Sequence, residues 1–198
     1  MKSLLIAIAV ALAELLAPVA ATAQPALVIK PLAEKKVQVL PTGPLFWQVE
    51  SFPTLAQAQA AAGPYGLAVE SAGKAWLFRL GPSGLTSSDG AKGVAQVGPI
   101  PKVEATEFLL RINEATGPTG SVTPVHTHPG SEAFHVLAGE QSIRTPHGVM
   151  KVAPGQSETG HGADVPMQVS SSGTSDLHAL VMFVVDASKP FSSPAKFP

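Results

Sequence analysis

The 198 residues carry 13 Lys and Arg against 14 Asp and Glu, a net charge of −1, and no cysteine. A balance this even gives no electrostatic case for nucleic acid or an anionic membrane as a partner. The lack of cysteine excludes disulfides, thiolate metal sites and cysteine nucleophiles.

The amino terminus has the layout of a secretory signal. Lys2 supplies a positive start, Leu4 to Leu16 is apolar apart from Glu14, and Ala21-Thr22-Ala23 is a small-x-small cleavage site. The run is too short and interrupted for a comfortable membrane span. Residues 1–23 are therefore expected to be removed, leaving a periplasmic or secreted chain with no membrane contact. What remains suits one packed domain. Residues 24–115 read as an extension with strands and a short helix, 116–188 as the core, and 189–198 as a tail.

Pro25 to Pro44 looks like an extended lead-in, with a short strand over Lys36 to Leu40. Leu45 to Phe52 is apolar and aromatic with partial alternation, which predicts a strand. Thr54 is a natural N-cap for the alanine-rich stretch up to Ala62, and Gly63-Pro64 ends that helix. Ala72-Gly73 joins two strands, Gly66 to Ser71 and Lys74 to Leu80, as a tight hairpin. Gly81 to Gly93 reads as a mobile loop. Thr106 to Asn113 predicts another strand; Arg111 on it faces either the interior, where it could bind an acidic group, or solvent, which the strand end favours.

The informative stretch is Gly120 to Gly139, GSVTPVHTHPGSEAFHVLAG. His126 and His128 are two apart, so on an extended strand both imidazoles face the same side. Pro129-Gly130-Ser131 predicts a reversal that returns Glu132 toward them. Two nitrogen donors and one oxygen donor with open positions suit Fe(II), Mn(II) or Zn(II). His135, three residues beyond Glu132, faces the other way and is read as a non-ligand. Asp176 to Asp186 is a nearly continuous apolar run, as in a strand covered on both faces. His178 within it either lines the interior or bonds to backbone. The three prolines of the tail rule out a helix or a central strand there. The tail is expected to lie across a surface, its own or a partner's.

The spacing Gly120, five residues, His126-Thr127-His128, three residues, Glu132, six residues, Gly139 resembles the first motif of the cupin superfamily, position for position. The resemblance covers roughly Gly117 to Val185. It implies an all-β fold, a cupin-type antiparallel β-barrel or jelly roll with one short helix in the amino-terminal extension. It also implies one divalent ion on His126, His128 and Glu132, a small-molecule ligand or substrate, and association into a homodimer. The second motif of the family, which supplies a fourth histidine, is irregular here. Met167 takes that place, and His161 is the nearest histidine. The fourth donor is thus His161, Met167 or water, and a thioether suits Fe(II) or Mn(II) poorly. Three functions stay open: a metal-dependent enzyme of dioxygenase or isomerase type, a ligand-binding module without turnover, and a structural protein with a metal staple.

Overall fold

Residues 24–198 are described by the computed structural model of the protein; the expected signal segment lies outside them. In chain order the elements are β1 (Val28–Val37), β2 (Phe46–Phe52), α1 (Leu55–Ala61), β3 (Gly66–Ser71), β4 (Lys74–Gly81), β5 (Lys92–Val97) and β6 (Phe108–Gly117). They continue with β7 (His126–Thr127), β8 (Gly130–Ala138), β9 (Gln141–Thr145), β10 (Gly148–Val152), β11 (Ser157–Thr159), β12 (Gln168–Ser171), β13 (Leu177–Asp186) and β14 (Ser193–Pro194). No helix among the described residues is long and apolar enough to cross a membrane.

A five-stranded antiparallel sheet, ordered β1-β6-β13-β8-β11, runs through the middle. Its two faces follow from the period of two along each strand. Leu110 and Ile112 of β6 and Leu180, Met182 and Val184 of β13 pack with Trp47, Phe78 and other residues of the four-stranded sheet β3-β4-β2-β5. The alternate residues Ala115, Val181, Phe183 and Val185 pack with Ile143, Met167 and Val169, around the three-stranded sheet β10-β9-β12. The apolar run in β13 is therefore covered on both faces, as its sequence predicts. The mostly antiparallel β architecture and, among the described residues, the one short helix also agree with the sequence reading.

Local signals in the first half act as expected. Thr54 Oγ1 accepts the backbone N–H of Gln57 at 3.3 Å and caps α1. Ala72 (φ 51°) and Gly73 (φ 68°) make the hairpin turn between β3 and β4. The stretch 81–93 differs from its expectation. Its Ser88 donates from N and Oγ to the buried Glu50, and Arg79 donates to the Thr86 carbonyl, so hydrogen bonds tie the loop to the sheet.

The lead-in also differs. Residues 28–37 form a ten-residue edge strand, β1, paired along β6. Pro31 is tolerated because the strand is at an edge and the register shifts beside it, between Pro31 and Ala33. That bulge reverses the parity of the strand. Ile29 opposes Ala115 before it, and Glu34 opposes Arg111 after it, so both share the face of β6 that carries Arg111, Asn113 and Ala115.

Candidate functional site: a cavity under the carboxy-terminal tail

That face of the middle sheet lines a cavity of about 520 Å³. Register explains which side chains reach it. Glu34, Arg111, Phe183 and Glu132 oppose one another in one row across β1, β6, β13 and β8. Asn113, Val181 and Phe134 form the next row. Of these two rows all but Glu34 line the cavity, and His126, His128 and Phe191 are among the other residues of its wall.

Pro129-Gly130-Ser131 does not make the expected hairpin. β7 pairs with β14 of the tail, and β8 begins at Gly130 against Val185 of β13. The Pro129 carbonyl accepts from Asp186 N at 3.0 Å. A Cβ at residue 130 would collide with the Val184 carbonyl, so glycine lets the chain join β13 there instead of turning back. Glu132 still reaches the cavity of the two histidines, by lying on the middle sheet beneath them.

The imidazole rings of His126 and His128 meet edge to face, with centroids 4.9 Å apart. Each is oriented by a carbonyl. His126 Nδ1 donates to Pro124 O at 2.8 Å and His128 Nδ1 donates to Phe191 O at 2.6 Å. A carbonyl can only accept, so Nδ1 carries the proton in both rings and Nε2 is the nitrogen left for other bonds. Burial holds the His128 imidazolium down to a pKa of about 4, with the His126 and Arg111 charges acting in the same sense. Burial pushes the Glu132 carboxyl up to about 8, and its Oε1 is buried with no hydrogen-bond partner.

Donor chemistry and donor placement give different answers about a metal. Two imidazoles with Nδ1–H on backbone carbonyls are oriented as metal-ligating histidines usually are, and an orphaned carboxylate oxygen is a natural third donor. Yet among the described residues no group of three or more His, Asp or Glu side chains is placed to hold one ion. The set fits an ion in chemistry and is not preassembled around one.

His161 and Met167 do not line this cavity. His161 stands beside His147, with ring centroids 6.2 Å apart. Met167 exchanges two backbone hydrogen bonds with His126 and is 1% exposed, packed in the apolar core. His135 is buried on the other side of the sheet against Trp76, with its Nδ1 2.8 Å from Ser157 Oγ. His178 neither lines the cavity nor bonds backbone; its Nε2 meets Glu114 Oε1 at 2.8 Å and Ser71 Oγ at 3.0 Å.

Two alternatives that the sequence left open have definite answers in the structure. Arg111 faces inward, where its Nε donates to Asn113 Oδ1 at 2.7 Å and its Nη1 meets Glu34 Oε1 at 2.7 Å. Alternation along β6 was the signal for it, but the inward parity could not be assigned without a partner strand. The tail lies on the chain's own surface. Phe191 stacks between Arg111, 4.0 Å from the ring centroid, and His128, at 4.7 Å between centroids.

No protein-family profile and no curated protein matches this chain. Solved structures do. The chain is similar to a cupin superfamily protein from Desulfitobacterium hafniense DCB-2, at 16% identity and TM-score 0.35 over 39% of this chain and 68% of that one. It is also similar to a cupin-like protein from Thermotoga maritima, at 12% identity and TM-score 0.39, over 44% of this chain and 65% of that one. A third, a DMSP lyase from Ruegeria pomeroyi DSS-3, shares 22% identity at TM-score 0.37, over 43% of each chain. Each match is thus partial and distant, and the likeness is to cupin proteins.

Proposed function

We propose that this chain is an exported, metal-dependent enzyme that acts on a small molecule in the cavity under its tail. The observation that carries the proposal is the pair of imidazoles whose Nδ1–H groups are held by Pro124 and Phe191 carbonyls, beside a buried carboxylate oxygen with no partner. His126 and His128 would hold a divalent ion through Nε2, with Glu132 as the third donor once its side chain closes on them. Such an ion, when bound, supplies a Lewis acid with open positions for substrate. The chain's own residues do the rest. Phe134, Val181 and Phe183 exclude water, and Phe191 keeps His128 in one tautomer. Glu132 holds a proton at neutral pH while no ion is bound.

A binding module without turnover is the second reading. It is favoured by the lack, among the described residues, of three donors already placed for one ion. Elemental analysis of tag-free protein separates the two. Stoichiometric iron or manganese favours the enzyme, zinc leaves both readings open, and protein that stays metal-free when supplied with these ions removes the metal site from either.

Export rests on the charge, apolar run and Ala21-Thr22-Ala23 order at the amino terminus. Intact-mass measurement on protein from the periplasmic fraction or medium should give a chain that begins at Gln24. A cytosolic chain retaining residues 1–23 would refute it.

A further inference from the structure

We propose that the cavity takes a small organic monoanion, an apolar body carrying one carboxylate, and that Arg111 is the group that recognises the carboxylate. The proposal deepens the small-molecule reading above and rests on it, but not on the metal.

Among the described residues, Arg111 is the only Lys or Arg that lines the cavity. Its guanidinium is fixed on three sides, by Asn113 Oδ1 on Nε, by Glu34 Oε1 on Nη1, and by the face of the Phe191 ring. Nη2 is left over, without a hydrogen bond among the described residues. A guanidinium held this way loses little freedom when an anion docks, and Nη2 offers the anion a charge-assisted donor. The side chain is only 15% exposed, so its field acts through apolar walls rather than water.

The remaining walls set the rest of the ligand. Ala115, Phe134, Val169, Val181 and Phe183 are apolar, which suits a hydrocarbon or aromatic body. A phosphate dianion would need a second cation, and Glu34 already offsets part of the charge of Arg111. The volume of about 520 Å³ is that of an ordinary small-molecule site.

The test uses purified, chelator-treated protein and two probes of nearly equal shape, 3-phenylpropanoate and its neutral amide, 3-phenylpropanamide, titrated by calorimetry. The acid should bind at least about tenfold more tightly than the amide. Arg111→Met should remove that preference while leaving the amide's affinity unchanged. Glu34→Gln, which frees the guanidinium and keeps it in place, should tighten the acid severalfold and not the amide; this variant carries the test if Arg111→Met fails to fold. Equal binding of acid and amide would overturn the anion assignment while leaving the cavity as a ligand site. Binding of neither probe would overturn both. An Arg111→Met variant that keeps the preference for the acid, or a Glu34→Gln variant that leaves acid affinity unchanged, would also overturn the role of Arg111.

Discussion

The carbonyl oxygen of Phe191 accepts the Nδ1–H of His128 at 2.6 Å, across 63 positions of chain. The tail thereby fixes the tautomer of a cavity histidine and covers its ring. Deleting residues 190–198 should expose His128 and raise its pKa from about 4 toward the ordinary value of 6.5. Burial is the largest cause of the depression, and the Phe191 carbonyl opposes it, so relief of burial decides the sign. Following the imidazole proton resonances against pH would show this. An unmoved titration would mean that the tail does not shield the site.

Two buried groups give the metal-free protein opposing pH slopes. The folded pKa of Glu132 is raised to about 8, so its contribution is fully present below 4.5 and is lost as pH rises toward 8. The folded pKa of His128 is lowered to about 4, so its contribution is present above 6.5 and is lost as pH falls toward 4. Between 6.5 and 8 only Glu132 acts. Melting temperature measured with chelator present should fall over that window, and Glu132→Gln should flatten the fall. The same slope in both proteins would show that Glu132 is not buried as a neutral acid.

Gly160 backs the carboxylate. Its N–H donates to the Glu132 carbonyl at 2.9 Å, and a Cβ there would lie 2.5 Å from Glu132 Cγ and 2.8 Å from Phe134 Cε2. Gly160→Ala should cost about 1–3 kcal/mol as an overpacked site. Denaturant unfolding would measure it. A neutral result would mean that the loop carrying Gly160 and His161 yields freely.

Much of this architecture was legible from local patterns. The Thr54 cap, the Ala72-Gly73 turn and the β13 run each act through neighbours in sequence, so each could be read there. The inward face of Arg111 and the length of β1 depend on a pairing of distant segments and on one bulge beside Pro31. A bulge of one residue reverses which side chains face the cavity, and nothing near Pro31 announces it. The motif put His126, His128 and Glu132 together, and the structure sets all three on one cavity, although by a crossing to β13 instead of a hairpin. Phe191 went unread because its role depends on β14 pairing with β7, a two-residue contact between distant segments. His161 was singled out by proximity in sequence, and proximity did not carry it to the cavity wall.

The most direct test of the central claim is a titration of Mn(II) or Zn(II) into metal-stripped protein and three variants, followed by calorimetry. The wild type should bind about one equivalent. His128→Ala should abolish stoichiometric binding, whereas Met167→Leu and His161→Ala should leave it unchanged, because neither side chain lines the cavity. A wild type that binds neither ion, or a His128→Ala variant that binds as the wild type does, would contradict the account.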